Sequence, residues 1–195
     1  QGVNLQTGIY EFAALDKDGN PLGPGDYQLL GNTDPKYYGG ILSIFKYNRF
    51  ECNIFFAFRK QVGKNYLSYS GNNQPGFPFN QSTLILGRWK NPGDRSTIQK
   101  FTSSFGSDAS LIAGYISRSD AVYTDASFLK LRNVQLAYSI KWIFLKKEPT
   151  IKTRIYVQAQ NLFSITKYKG SDPEIQNIYV LPPLRTIVAG ININL

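Results

Sequence analysis

Two acidic segments contain the residue types in this sequence that could do chemistry. In the first, Asp172 and Glu174 stand two residues apart in G-S-D-P-E, and a pair of carboxyl groups is what most glycoside hydrolases use for acid–base and nucleophilic work. Adjacent carboxylates in one loop, with Pro173 between them, have no reason to flank a scissile bond. The sequence therefore predicts that these residues shape a loop, with a glycosidase pair as the weaker alternative.

The second acidic segment offers the oxygen ligands of a calcium site. Asp16, Asp18 and Asn20 surround Gly19, and Ca²⁺ prefers carboxylate and carbonyl oxygens. The glycine is misplaced for an EF-hand loop, and no glutamate closes it. We interpret the segment as a turn and expect no metal site.

Other catalytic arrangements are excluded by residue types that the chain lacks. It contains no histidine, so histidine-dependent acid–base chemistry and triads are ruled out. Cys52 is the only cysteine, which rules out an internal disulfide and a cysteine–histidine zinc cluster. We expect that the chain is not an enzyme and binds no cofactor.

Composition and charge describe an ordered, aromatic-rich chain. Of its 195 residues 42% are hydrophobic and 14% are aromatic, which favours strands. The net charge of +9 suits nucleic acid, anionic lipid or lipopolysaccharide phosphate, but the basic residues are scattered without the basic stripe of nucleic-acid binders. We expect a solvated basic surface and no nucleic-acid partner. No apolar run approaches the ~18 residues of a membrane-spanning helix. This does not exclude a membrane-spanning barrel, because barrel strands leave only a weak hydropathy signal.

The elements that would position these residues are long strands with two-residue alternation. Several exceed the ~5 to 6 residues of strands in soluble domains and match the ~9 to 11 that cross a bilayer. The alternation blurs at Leu129 and Leu131, which predicts a bulge or an interface crossing. Six strands are expected, at 3–15, 40–48, 50–60, 127–140, 151–163 and 186–195.

The connections between these strands alternate in length. Residues 16–39, 61–126 and 164–184 are long, whereas the connections at Asn48–Arg49 and at 146–149 are short. Because successive connections of an antiparallel sheet lie at opposite ends, all long loops share one rim, as in outer-membrane barrels. Within the long loop 61–126, a short helix is expected over 80–90 with Asn80 or Ser82 as its N-cap.

The alternation also assigns two faces to the strands. An arginine near the bilayer midplane costs roughly 2 to 4 kcal/mol, so the rows that contain polar residues are expected to face the lumen and the aliphatic rows the lipid. The lumen-facing residues are Arg154, Gln158, Gln160, Asn192 and Asn194. The lipid-facing residues are Phe50, Ile54, Phe56, Phe58, Ile155, Val157, Ile187, Ile191 and Ile193.

Six motifs in order along the chain carry a resemblance to a known family. They are G-N-T-D-P-K-Y-Y-G-G (31–40), R-W-K-N-P-G-D-R-S-T (88–97), D-A-S-F-L-K-L-R-N-V-Q-L-A-Y (125–138), Q-N-L-F (160–163), Y-K-G-S-D-P-E (168–174) and L-R-T-I-V-A-G-I-N-I-N-L (184–195). Together they resemble the C-terminal barrel part of SusC/RagA-type TonB-linked, or TonB-dependent, outer-membrane transporters. The family commonly has arginine where Lys130 stands and an aromatic residue where Leu195 stands.

The resemblance implies an all-β fold, an antiparallel transmembrane β-barrel segment that supplies about six closing strands of a 22-stranded barrel. It implies that 1–195 is an incomplete C-terminal portion, that 61–126 is an extracellular loop, and that the plug domain and TonB box are absent. The implied function is import of glycans, oligosaccharides or peptides across the outer membrane of Bacteroidetes. The implied partners are a SusD-like surface lipoprotein, TonB acting through the missing plug domain, and the lipid and lipopolysaccharide of the membrane.

The loop residues offer candidates for contact with cargo or lid. Trp89 lies between Arg88 and Asp94, and an aromatic ring can stack on a sugar or bury a large contact area. Tyr168 has the same potential. The alternative is that these side chains pack the loops together. For the whole chain, the alternative to a transporter is a soluble β-sandwich carbohydrate-binding module, which would bury the same apolar faces against a second sheet.

Overall fold

The computed structural model describes residues 2–16, 23–69, 74–142 and 151–194 and divides into two compact units. One, the sheet unit, comprises residues 34–62 and 125–195. The other, the loop unit, comprises residues 1–33 and 63–124. The strands, in chain order, are β1 (Gly2–Val3), β2 (Tyr10–Glu11), β3 (Tyr37–Tyr47), β4 (Phe50–Lys60), β5 (Val62–Lys64), β6 (Tyr123–Asp125), β7 (Phe128–Trp142), β8 (Ile151–Thr166) and β9 (Thr186–Asn194).

The sheet unit is one antiparallel sheet in the order β3-β4-β7-β8-β9. Four of its strands are 11 to 16 residues long and the last is nine. These lengths suit tilted strands that cross a bilayer. The fold is therefore all-β and antiparallel, as predicted.

Residues directly opposite each other in the register share a face, so the alternation of each strand continues across the sheet. One such row reads Phe50, Tyr138, Ile155 and Ile191 from β4 to β9. We call this side the apolar face. The opposite side, which we call the polar face, includes the row Asn53, Gln135, Gln158 and Val188.

A bulge at Arg132 keeps the faces separate. Phe55 pairs with Asn133 but Phe56 pairs with Leu131, so β7 has one more residue than β4 at this level. Strict alternation would turn Asn133 to the apolar face, and the extra residue returns it to the polar face. The bulge predicted from the blurred alternation is thus confirmed.

Among the described connections of the sheet, the short turn and the two long loops lie at opposite ends, as predicted. Asn48 and Arg49 join β3 to β4 in a two-residue turn, with Asn48 in the left-handed region at φ 55°. Residues 61–127 and 167–185 connect strands at the opposite end of the sheet. The predicted turn at 146–149 lies outside the described residues.

Five of the six predicted sheet strands are present, and the prediction for 3–15 is wrong. This stretch contains only β1 and β2, which pair with each other, and it belongs to the loop unit. Asn4 explains the break, because its side-chain oxygen accepts hydrogen bonds from the backbone nitrogens of Gln6 (2.8 Å) and Thr7 (2.9 Å) and so forms a tight turn.

The sandwich alternative does not fit the sheet unit. Within the described part of that unit there is one sheet and no second layer over its apolar face. Val157 is 47% exposed and Ile191 is 62% exposed on this face. A sandwich would bury both side chains in a shared core.

The loop unit has a small core of its own, formed by Tyr66, Leu67, Ile85, Ile98 and Val122. Helix α1 (Asp108–Ile116) begins at Ser107, whose hydroxyl accepts from the backbone nitrogen of Ser110. The helix expected over 80–90 is a single 3₁₀ helix, Thr83–Gly87, with Ser82 as its N-cap. No helix among the described residues is long and apolar enough to span a membrane.

Candidate functional site

Hydrogen bonds and ion pairs connect side chains along the polar face. The guanidinium of Arg154 lies 3.1 Å from Oε1 of Glu51, which also accepts from Nδ2 of Asn53 at 2.9 Å. The same Nδ2 donates to Gln135 at 3.2 Å, and Nε2 of Gln158 donates to Asn133 at 2.8 Å. These groups are half-buried and pair mainly with one another, so the described part of this face is a network of polar side chains.

The register of the sheet shows on which face each residue predicted to face lipid or lumen lies. Phe50, Ile155 and Ile191 share one row of the apolar face, and Arg154 and Asn192 share one row of the polar face. The other predicted lipid-facing residues also lie on the apolar face, namely Ile54, Phe56, Phe58, Val157, Ile187 and Ile193. Gln158 and Gln160 lie on the polar face; Asn194 pairs with Lys152 in the backbone register, and nothing is described of its side chain.

A buried ion cluster fixes the G-S-D-P-E loop to the sheet. Nζ of Lys130 lies 3.0 Å from Oδ2 of Asp172 and 2.9 Å from Oε2 of Glu174, and the Lys130 side chain is only 3% exposed. Arg132, the bulge residue, pairs with the other oxygen of Glu174. The bulge therefore brings a second cation to the same loop. We call these four residues the loop anchor.

Gln61 holds the same loop from a second side. Its Nε2 donates to the carbonyl of Pro173 at 2.7 Å and to that of Ala126 at 3.2 Å, and the side chain is buried. Oδ1 of Asp172 accepts from the backbone nitrogens of Glu174 and Ile175. Both carboxylates of the loop are thus fully engaged with the chain itself, which supports the predicted loop-shaping role over a glycosidase pair.

The anchor keeps its carboxylates ionised. Burial by itself raises the pKa of Asp172, but the hydrogen bond and charge of Lys130 and the backbone donors outweigh it and lower the pKa below its ordinary value. The pKa of Glu174 is lowered in the same way, against burial, by Lys130 and Arg132. The anchor therefore requires two charged carboxylates.

Trp89 is buried within the loop unit, which favours the packing alternative over a ligand contact. The residue is 9% exposed and its Nε1 donates to the carbonyl of Leu5 at 3.1 Å. The ring lies against Gly8, which has φ +70°. The backbone nitrogen of Gly93 donates to the same Leu5 carbonyl at 2.7 Å. Trp89 therefore fastens residues 5–8 to the R-W-K-N-P-G-D segment.

We expect Gly8→Ala to destabilise the loop unit by about 2 to 4 kcal/mol, because an added Cβ would overlap the Trp89 ring and the left-handed conformation disfavours a side chain. Gly93→Ala is the matched control, since Gly93 has φ +96° with open space around the missing Cβ. It should cost only about 1 kcal/mol of conformational strain. Limited proteolysis of the loop unit in the full-length protein measures both, and equal effects would contradict the role given to Trp89.

The other three predicted contact residues also make internal contacts. The carboxylate of Asp94 accepts from the backbone nitrogens of Lys90 and Asn91, which closes the turn of its motif. The guanidinium carbon of Arg88 lies 5.7 Å from the centre of the Phe101 ring, and Arg88 is half-buried. Tyr168 is 9% exposed with its ring over Gly170. Tyr168 is therefore buried, whereas Arg88 and Asp94 stay partly exposed, and contact of these residues with cargo or lid stays a prediction.

The loop anchor is the feature that sequence reasoning missed. Its signal was two basic residues on one strand, Lys130 and Arg132, and two acidic residues in one turn, but nothing in the sequence showed that they meet across 42 positions of chain. The segment considered as a calcium site is described only in part, because Asp18, Gly19 and Asn20 lie outside the described residues.

No family model matches the chain. Three curated proteins are similar to it. "TonB-dependent receptor P3" of Formosa agariphila is 28% identical over 84% of this chain and 15% of that protein. "TonB-dependent receptor P39" of the same organism is 30% identical over 89% of this chain and 16% of that protein. "TonB-dependent receptor SusC" of Bacteroides thetaiotaomicron is 42% identical over 30% of this chain and 6% of that protein. The chain thus spans less than one fifth of the length of these relatives.

Solved structures share the fold. A chain of the RagAB peptide importer in its open-open state superposes with a TM-score of 0.69 over 98% of this chain and 21% of that chain, at 24% identity. A structure of the RagAB peptide transporter gives a TM-score of 0.67 over 98% of this chain and 22% of that chain, at 23% identity. The five-stranded sheet and its loops together therefore have the fold of a segment of these transporters.

Proposed function

Because this chain is a homologue of TonB-dependent receptors of the SusC/RagA type, we propose that it is a C-terminal segment of an outer-membrane barrel that imports nutrients. The observation that carries the proposal is the two-faced sheet, in which every residue predicted to face lipid that has a described side chain lies on the apolar face. An exposed apolar surface of this extent marks a membrane or protein interaction. Of these two explanations, the similarity to TonB-dependent receptors and the shared fold favour contact with a membrane.

The polar face fits a barrel lumen that holds a plug. Its amides and the Glu51–Arg154 pair offer donors and acceptors to a neighbouring polar surface and include no group for a covalent step. We propose that energy reaches the transporter through TonB and the plug domain, so this segment acts as a wall and not as an enzyme. Residues 61–126 and 167–185 would form extracellular loops at the end opposite the Asn48–Arg49 turn.

We propose an oligomeric nutrient, a glycan or a peptide, as cargo and a SusD-like surface lipoprotein as the lid. The support for the lid is homology to a receptor named SusC and the shared fold with the RagAB peptide importer. Uptake of labelled oligosaccharides and labelled oligopeptides by cells that carry the full-length receptor, with a deletion strain as control, decides the cargo class. Equal uptake of both by the two strains would contradict import by this protein.

The lone cysteine provides a direct test of the lipid-facing assignment. Cys52 lies on the apolar face, paired with Phe45 and Leu136. We expect that it does not react with a membrane-impermeant maleimide in intact outer membranes and reacts after solubilisation and denaturation. The reason is that a polar reagent does not reach a thiol that is surrounded by acyl chains.

Two neighbouring positions on β8 provide the matched control in a Cys52→Ser background. Ala159→Cys lies on the apolar face and Gln160→Cys on the polar face, one residue apart. We expect labelling of the second and not of the first. Labelling of Ala159→Cys in intact membranes at the rate of Gln160→Cys would reject the proposed orientation of the sheet.

A further inference from the structure

A groove lies where the apolar face of the sheet unit ends, at the rim that carries the long connections. It has a volume of about 390 Å³, and its lining includes Tyr37, Phe58, Lys60, Asp125, Ile165 and Lys167. Phe58, Leu129 and Ile165 form the last apolar row across β4, β7 and β8. Lys60 and Lys167 each follow a member of that row by two residues, so the groove changes from apolar to basic along the strands.

The aromatic residues of the groove are arranged as at a membrane boundary. The rings of Tyr37 and Phe58 meet edge to face with centroids 6.5 Å apart, and Tyr37 is 60% exposed. Tyrosine is enriched where hydrocarbon gives way to headgroups, because its ring is apolar and its hydroxyl polar. The apolar row would lie beside acyl chains, and the two lysines would lie about 7 Å further along the strands, at headgroup level.

The charges of the groove favour an anion. Lys60 pairs with Asp125 at 2.8 Å, and hydrogen bonds from Lys60 and Ser127 hold the pKa of that carboxyl group well below its ordinary value. Lys167 is exposed, and no carboxylate of the described residues lies within ion-pair distance of its Nζ. The lysines stand two strands apart, about 10 Å, a span that their flexible side chains can close around one phosphate.

We propose that this groove binds the phosphate headgroup of an anionic lipid of the outer leaflet, with Lys167 and Lys60 as the cationic contacts and the Phe58–Leu129–Ile165 row beside the acyl chains. The inference rests on the proposed function, since it requires the apolar face to lie in a bilayer. The long stems of both lysines allow their ammonium groups to reach the headgroup from the edge of the apolar face.

The test uses the detergent-purified full-length receptor and monophosphoryl lipid A as probe, with phosphatidylcholine and inorganic phosphate as comparison ligands. Native mass spectrometry counts bound lipid, and a titration gives the affinity. We expect Lys167→Gln to weaken binding of the phosphorylated lipid about fivefold, from roughly 1 kcal/mol per lysine near an anionic surface. Lys167→Arg should retain binding. Asp125→Asn should strengthen binding, because the substitution removes a negative charge from the groove.

Lys152→Gln is the matched control, with the same loss of charge on the same sheet but on the polar face and at the opposite rim. Unchanged lipid affinity in both Lys167→Gln and Lys152→Gln overturns the site, as does equal binding of phosphatidylcholine or tight binding of inorganic phosphate alone. If Cys52 reacts with the impermeant reagent in intact membranes, the proposed function fails. If Cys52 is protected while Lys167→Gln has no effect, only the lipid site fails.

Discussion

Replacing Val157 by arginine is expected to cost roughly 2 to 4 kcal/mol of barrel stability in the membrane, because the substitution places a charge in hydrocarbon close to the midplane. Val157 pairs with Leu136 and Ala189, one row from the middle of the apolar face. A loss of this size approaches half of the stability of an ordinary domain. We expect a marked decrease of folded receptor in the outer membrane.

Gln160→Arg is the control for this experiment. Gln160 lies on the same strand and close to the same depth, but on the polar face, where it pairs with Asn133. We expect a change within about 1 kcal/mol, since an arginine there stays among polar groups. Urea unfolding of the full-length receptor in lipid vesicles measures both free energies. Equal costs for the two substitutions would mean that the apolar face does not contact lipid.

Replacing Lys130 by methionine is expected to release the G-S-D-P-E loop at a cost of about 3 kcal/mol. The change removes the cation between Asp172 and Glu174 and leaves a carboxylate that is only 8% exposed without its partner, and breaking a buried pair in this way is strongly destabilising. Lys130→Arg should restore most of the stability, because a guanidinium can pair with both carboxylates. Asp172→Asn in the Lys130→Met background should recover part of it.

The control is Lys60→Met, which breaks an ion pair of similar length that is largely exposed. The Lys60 and Asp125 side chains are 40% and 48% exposed, and exposed pairs contribute 0 to about 1 kcal/mol. Protease sensitivity of residues 167–185 in the full-length receptor should rise in Lys130→Met and stay close to wild type in Lys60→Met. A wild-type cleavage rate in Lys130→Met would contradict the anchor.

The anchor also predicts a dependence on pH. The folded pKa values of Asp172 and Glu174 lie below their ordinary values of 3.8 and 4.5. Their stabilisation is therefore complete above about pH 5 and is lost as the pH falls through the folded values. In Lys130→Met the buried carboxylate favours its neutral form, so acid should protect the loop instead. Proteolysis at pH 7 and at pH 4 with an acid-tolerant protease distinguishes the two behaviours.

The sequence by itself determined the sheet and its two faces. The alternation is local, since successive side chains of a strand point to opposite sides whatever the strand contacts. The bulge was readable for the same reason, because Leu129 and Leu131 are out of step with Val134 and Leu136. The prediction failed at residues 3–15, where the backbone nitrogens of Gln6 and Thr7 donate to the side chain of Asn4 and form a turn that the apolar pattern does not reveal.

Only the tertiary structure decided which loop side chains are exposed and which pack against other parts of the chain. Trp89 and Tyr168 are of the residue type that often contacts ligands, but both side chains are buried. Trp89 packs against Gly8, far away in the sequence, and Tyr168 packs against the nearby Gly170. Lys130 meets Asp172 and Glu174 only because β7 and the loop after β8 lie side by side. Such contacts depend on positions far apart in sequence, and their physical cause is the packing of the folded chain, which no local pattern encodes.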